Sequence, residues 1–203
     1  MIENIARKST KQGFPRSRLP EFTQEEIEFV KGSSDFFGLN HYTSSYVYRN
    51  ESVYNQHPVP SYFDDMDVGS YDDPDWGHSV VPWGFYKLLK KIKDDYNNPP
   101  VFITENGFST STGHDDTERV DYFRSYLDAM LDAIDEGCDV RNYAAWSLMD
   151  NFEWMEGYLE RFGLYEIDFD SPERTRTARK SAFVYKEIVR TRLVINVFNY
   201  DYQ

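Results

Sequence analysis

The sequence predicts an α/β fold in which a parallel sheet is covered by helices. Short apolar runs alternate with segments of helical periodicity, in the order strand, helix, strand, helix, strand, helix. The runs are apolar at consecutive positions, as expected of strands buried on both faces. Polar residues (Asn40, Glu105 and Asp150) follow the ends of those runs. In barrels and open α/β sheets alike, that edge is where ligands bind.

The elements follow from local patterns. Thr23-Gln24-Glu25-Glu26 has the form of a capping box, predicting a short helix with Ile27 and Val30 inward and Gly32 as its stop. Asp35-Phe36-Phe37-Gly38-Leu39-Asn40 is a compact apolar run of strand length. The stretch from about residue 43 to 81 is polar and rich in aspartate, with Asp64, Asp65, Asp67, Asp72, Asp73 and Asp75. It lacks calcium-loop spacing and predicts a solvated acidic loop. Trp83, Leu88, Leu89, Ile92 and Tyr96 predict a helix closed by Pro99-Pro100, ahead of a strand at Val101-Phe102-Ile103-Thr104. Val120, Phe123, Leu127, Met130, Leu131 and Ile134 step by three and four, with Gly137 as the stop. A strand is expected over residues 143–149, then a loop of nearly thirty residues. A last helix is expected over residues 178–192, with Ala182, Tyr185 and Val189 on one side.

At 203 residues, one domain is the expectation. Three strand–helix units are too few for a closed barrel, which needs eight and typically about 250 residues. The net charge of −13 and scattered Lys and Arg argue against nucleic acid. No apolar run reaches the roughly 18–20 residues of a membrane span, and residues 1–11 lack the apolar core of a secretory signal. The lone Cys138 reads as a small hydrophobe, and His41, His57, His78 and His114 share no ligand spacing. Each histidine reads as a surface or packing residue. Asn50-Glu51-Ser52 fits a glycosylation acceptor and leans toward a secreted parent protein.

Two constellations carry chemistry. Glu105 ends an apolar strand and precedes the turn signal Asn106-Gly107, so the sheet would hold its carboxylate rigidly. Spacing alone leaves open a strand-end acid that caps the next turn. Residues 146–154 supply Trp146, Asp150, Glu153 and Trp154: two indoles and two carboxylates. Sugar recognition uses that mixture, with ring faces for C–H groups and carboxylates for hydroxyls. His-Glu-x-x-His, Gly-x-Ser-x-Gly and Gly-x-Gly-x-x-Gly patterns are absent from the sequence.

Ile103-Thr104-Glu105-Asn106-Gly107 resembles the nucleophile motif of family 1 glycoside hydrolases, the β-glucosidase, lactase-phlorizin hydrolase and myrosinase family. Further matching segments are Ser17-Arg18-Leu19-Pro20-Glu21-Phe22-Thr23, residues 35–43 and residues 146–154. Glu156-Gly157-Tyr158, Arg161-Phe162-Gly163-Leu164 and Arg179-Lys180-Ser181-Ala182 continue the likeness, which covers residues 15–192. The resemblance implies the last three strand–helix units of a (β/α)₈ barrel. It also implies Glu105 as nucleophile, with Tyr42 bonded to it and Asn40 beside it. Trp146 would be the platform under the sugar, Glu153 and Trp154 would bind hydroxyls, and Phe162 would close the rim. The implied substrate is a small β-glycoside with a glucose-like sugar, and the reaction needs no metal and no cofactor.

The same resemblance calls for a second carboxyl group, the acid/base Glu of an Asn-Glu-Pro motif, and no Asn-Glu-Pro occurs in these residues. The expected reading is therefore a β-glycosidase represented by part of its chain, with little activity alone. The alternative is a non-catalytic sugar-binding or interaction protein derived from such an enzyme.

Overall fold

The computed structural model describes residues 2–50, 65–71, 80–111 and 113–194. In chain order the helices are α1 (Ile2–Lys11), α2 (Gln24–Val30), α3 (Pro82–Asp95), α4 (Thr117–Asp135) and α5 (Lys180–Thr191). The strands are β1 (Phe37–Asn40), β2 (Tyr46–Arg49), β3 (Val68–Tyr71), β4 (Val101–Asn106), β5 (Val140–Ala145), β6 (Tyr165–Ile167) and β7 (Arg176–Ala178). They form two compact units, one of Met1–Asp35 with Ser45–His78, the other of Phe36–Ser44 with Ser79–Gln203.

The second unit is the α/β body. Its sheet is parallel, in the order β1-β4-β5. Val101 and Ile103 of β4 bury against Phe85, Leu89 and Ile92 of α3 and Tyr122, Phe123, Tyr126 and Met130 of α4. The α4 residues recur at helical spacing, which is why one face of that helix can bury as a stripe. Each large apolar side chain so buried is worth about 1.5–3 kcal/mol before chain entropy is counted. Cys138 lies in this core as a small hydrophobe. Alternating strand and helix with parallel pairing is the order read from the sequence.

The opposite sheet face differs from the expectation of burial on both sides. Phe36, Gly38, Asn40 and Thr104 are exposed, and Phe36 packs on Phe102 with ring centroids 4.6 Å apart. No second layer covers this face among the described residues, so strand apolarity did not translate into two-sided burial.

Other boundaries also move. The third strand is Val140–Ala145, not residues 143–149. Its first half carries the exposed Arg141 and Asn142 and so lacks the apolar signature, while the apolar residues after Ala145 leave the strand. The long loop that follows holds a 3-10 turn (Trp154–Glu156) and the antiparallel pair β6–β7. In α5, Ala182 is buried and Tyr185 packs on the core, but Val189 is exposed.

In the first unit, the Thr23–Glu26 capping box forms as predicted, yet α2 has no buried residue, and Ile27 and Val30 are exposed. The stretch read as a solvated acidic loop contains the antiparallel pair β2–β3. Asp67 is buried, with Lys8 Nζ at 2.5 Å and Asn4 Nδ2 at 2.6 Å. Burial opposes ionisation of Asp67, but the bonds from Lys8 and Asn4 outweigh it and hold the carboxyl below its usual range. Asp65 takes a bidentate pair from Arg18 at 2.9 and 2.6 Å. Asp64, Asp72, Asp73, Asp75, His57, His78 and the sequon residues after Asn50 lie outside the described residues.

Candidate active site at the C-terminal end of the sheet

The end of β4 is irregular, and the irregularity aims its side chains. In the β1–β4 ladder, Leu39 pairs with Ile103 but Asn40 pairs with Glu105. In the β4–β5 ladder, Ile103 pairs with Tyr143 and Asn106 with Ala145. Both ladders therefore accommodate an extra β4 residue between Ile103 and Asn106, a bulge of the kind that re-aims side chains. Strict alternation from Val101 and Ile103 would send Glu105 to the helix side. Instead the fully buried Asn106 takes that side, and Glu105 is left half-buried on the other.

Glu105 Oε2 accepts the Tyr42 hydroxyl at 2.5 Å. Burial raises the Tyr42 phenol pKa well above its ordinary value, followed by the Glu105 bond and then the charges of Glu105 and Glu153. The phenol thus stays protonated and donates. Asn40 lies beside Glu105 in register, its Oδ1 accepting from Thr104 Oγ1 at 2.5 Å. Phe162 meets the Tyr42 ring edge-on, with centroids 5.8 Å apart.

The second group is Trp146 and Glu153, joined by a bond from the indole Nε1 to Oε1 at 3.0 Å. Trp154 stands 87 % exposed in the 3-10 turn. Asp150, whose place after a strand suggested ligand contact, is buried instead against Arg179, which bonds both its oxygens at 2.9 and 2.8 Å. Burial opposes its charge, but the Arg179 bonds and the Gly163 and Ile167 amides hold its pKa down.

That ion pair anchors the loop that carries Glu153. Gly163 donates its N–H to Asp150 at 2.9 Å, and its carbonyl accepts from Arg179 at 2.6 Å and Arg119 at 2.7 Å. A Cβ on Gly163 would lie 2.2 Å from the Asp150 nitrogen. Arg119 in turn pairs with buried Asp116 at 2.6 Å, and Asp116 accepts the Ser181 N–H at 2.8 Å. Gly107 performs a similar close approach on the strand side, since a Cβ there would lie 1.8 Å from the Trp146 carbonyl oxygen.

The structure thus brings Asn40, Tyr42, Glu105 and Phe162 together and pairs Trp146 with Glu153, while Trp154 projects outward. Sequence reasoning missed Asn106, Tyr122 and Tyr143 beneath the site, and Arg119 and Asp116 behind the loop. Asn106 had been read only as a turn residue. Arg179 was visible within a matched segment but had no role. His41 is a packing residue, stacked on Phe85 at 4.8 Å, and burial lowers its pKa to about 4. His114 is exposed and lies 3.0 Å from Glu166. Among the described residues no three His, Cys, Asp or Glu side chains are grouped to hold a metal ion, and no helix is long and apolar enough to cross a membrane.

Parallel β/α units with polar side chains gathered at the C-terminal strand ends are the arrangement that barrels and open α/β sheets use for ligand sites. The model of Glycosyl hydrolase family 1 matches residues 2–193, and the chain belongs to that family. It is 45 % identical over 193 residues to the human cytosolic β-glucosidase, covering 92 % of this chain and 40 % of that protein. Among solved structures, an aphid myrosinase superposes with a TM-score of 0.82 at 40 % identity, covering 93 % of this chain and 41 % of the other. A β-glucosidase from the fungus Humicola insolens in complex with glucose gives 0.73 at 33 % identity, covering 93 % and 43 %. The chain therefore spans about two fifths of these relatives, and its open sheet is part of a (β/α)₈ barrel.

Proposed function

We propose that this chain carries the nucleophile and sugar-binding part of a retaining β-glycosidase, and that all 203 residues belong to one barrel domain. The observation that carries it is the 2.5 Å bond from Tyr42 to Glu105 at the end of a central parallel strand. A carboxylate fixed at a strand end and bonded on one oxygen keeps the other free to attack one carbon at a fixed angle.

In the proposed reaction a Glu105 oxygen attacks the anomeric carbon of a β-glucoside. The carbon–aglycone oxygen bond breaks, the aglycone leaves with a proton from a general acid, and the sugar remains as an ester on Glu105. Water then attacks the same anomeric carbon, giving up a proton to the conjugate base of the general acid. The bond from that carbon to the Glu105 oxygen breaks, so that the sugar is released with retained configuration. Trp146 supplies the platform and Glu153 accepts sugar hydroxyls, with the Trp146 Nε1 bond orienting its carboxylate. Trp154 donates its indole N–H to a further hydroxyl, Phe162 limits the rim, and Asn40 bonds the sugar beside the nucleophile.

The general acid of the family's Asn-Glu-Pro motif is not in this sequence. Loss of such a group costs about 10²–10⁴-fold, so the isolated chain is expected to turn over ordinary glucosides very slowly. A substrate whose leaving group needs no proton separates the two roles. Incubation with 2,4-dinitrophenyl 2-deoxy-2-fluoro-β-glucoside should leave a covalent sugar on Glu105, detected by mass spectrometry of peptides, and none in Glu105→Gln. Sugar binding by fluorescence without any adduct would instead favour the non-catalytic alternative.

A further inference from the structure

We propose that Asn106 and Tyr122 are positioning residues that set the Tyr42–Glu105 hydrogen bond from beneath the sheet end. The inference deepens the reading of Glu105 as nucleophile and rests on it for its catalytic consequence only.

The argument begins with the bulge. By reversing the phase at the end of β4, it exchanges the sides that two adjacent residues would otherwise take, placing Glu105 toward Tyr42 and Asn106 toward α4. The Asn106 side chain is fully buried, and its carboxamide bonds are all directed. Nδ2 donates to the His41 carbonyl at 2.7 Å and to the Tyr122 hydroxyl at 2.8 Å, and Oδ1 accepts from Tyr143 at 2.6 Å. Burial raises the phenol pKa of both Tyr122 and Tyr143, so both hydroxyls keep their protons to donate. Asn106 Nδ2 can only donate, so the Tyr122 hydroxyl accepts there and donates its one proton to the Tyr42 carbonyl at 2.7 Å.

The two residues that follow β1 are therefore held by their backbone oxygens, His41 by Asn106 and Tyr42 by Tyr122. That fixes the Tyr42 Cα, and hence where its hydroxyl meets Glu105. The arrangement is directional throughout. One amide end is donor only and the other acceptor only, so a carboxylate in place of Asn106 would reverse the Tyr122 proton and release the Tyr42 carbonyl. A purely space-filling role for Asn106 would not require that polarity.

The test is made on the 203-residue chain with ring-labelled tyrosine, the Tyr42 signal being assigned by its loss in Tyr42→Phe. Two variants, Tyr122→Phe and Asn106→Asp, break the chain of bonds at different links. Leu89→Ala, in the same core but outside the network, is the control. In the unaltered chain and the control, Tyr42 should ionise well above the ordinary tyrosine value of about 10, with slow hydroxyl exchange. In either network variant its ionisation should fall back toward that value and exchange should quicken. Capture of the fluoroglucoside by Glu105 should slow about ten- to hundredfold with unchanged circular dichroism. If either variant folds and leaves Tyr42 as in the unaltered chain, the proposal is wrong. Should both fail to fold while Asn106→Gln also leaves no folded protein, Asn106 is structural and the proposal is equally overturned. Absence of adduct in the unaltered chain, with the Tyr42 shifts as expected, would sink the nucleophile reading and leave the positioning role standing.

Discussion

The site has two sides built on different physics. The Glu105 side hangs on a central strand and is aimed by neutral hydrogen bonds running through Asn106, Tyr122 and Tyr143. The side bearing Glu153 and Trp154 is a long loop whose outer residues are exposed and whose base is clamped by two buried ion pairs, Asp150–Arg179 and Asp116–Arg119. A strand end needs only small corrections, which short, directional bonds supply. A loop outside the parallel sheet has only the short β6–β7 pair of its own. Its base is held by the buried ion pairs and by charge-assisted hydrogen bonds from Arg119 and Arg179 to the Gly163 carbonyl. The nucleophile candidate thus sits on a central strand, and the hydroxyl-binding candidates Glu153 and Trp154 on a loop anchored at its base.

The strongest way to break this comparison is to remove one clamp. Arg179→Met leaves buried Asp150 with only the longer Arg161 contact at 3.3 Å, which should destabilise the α/β unit by about 3 kcal/mol, read from urea unfolding. A cost near that of a surface substitution would show that the loop is not held by charge. The paired change of Arg179 and Asp150 to apolar residues should recover much of the loss if packing is preserved.

The strand side makes a different prediction, through pH. His41 is held neutral by burial, with its pKa lowered to about 4. The unfolded chain binds a proton near the ordinary value of about 6.5, which the folded chain does not. Stability should therefore be full above about 6.5 and decline as pH falls toward 4, by roughly 3 kcal/mol at most. His41→Phe, which keeps the stacking on Phe85, should flatten that part of the profile. An unchanged slope would remove His41 from the account. The smallest stability effect belongs to the loop tip. Trp154→Ala should shift unfolding by no more than about 0.5 kcal/mol, since Trp154 is 87 % exposed. It should nevertheless slow fluoroglucoside capture, and a change in stability without a change in capture would reverse its assignment.

Legibility followed the range of the interactions. The helices at 82–95 and 117–135 and the strand at 101–106 were readable because an apolar stripe or run is a local pattern. Glu105 and Tyr42 were readable because they lie within short motifs. The pairing β2–β3 went unread although Tyr46-Val47-Tyr48 is a β-prone run, because two four-residue strands are too short to stand out within a long polar stretch. Asn106 was mistaken for a turn former because nothing local reports that Tyr122 and Tyr143, 16 and 37 residues away, converge on its amide. Asp150 was read as a ligand residue for the same reason: its partner Arg179 is 29 residues on.

The sequence by itself determined the alternation of strands and helices, the family likeness and the identity of the candidate nucleophile. The alternation depends on spacing within a few turns or one strand, whereas the candidate nucleophile follows from the motif that resembles the family's, since spacing alone left a capping acid open. Only the tertiary structure decided which way each polar side chain faces. A single extra residue in β4 reverses the phase of its end, placing Glu105 against Tyr42 and Asn106 against α4. Which strands share that bulge depends on pairing with β1 and β5, which are far away in sequence, and no local pattern encodes it.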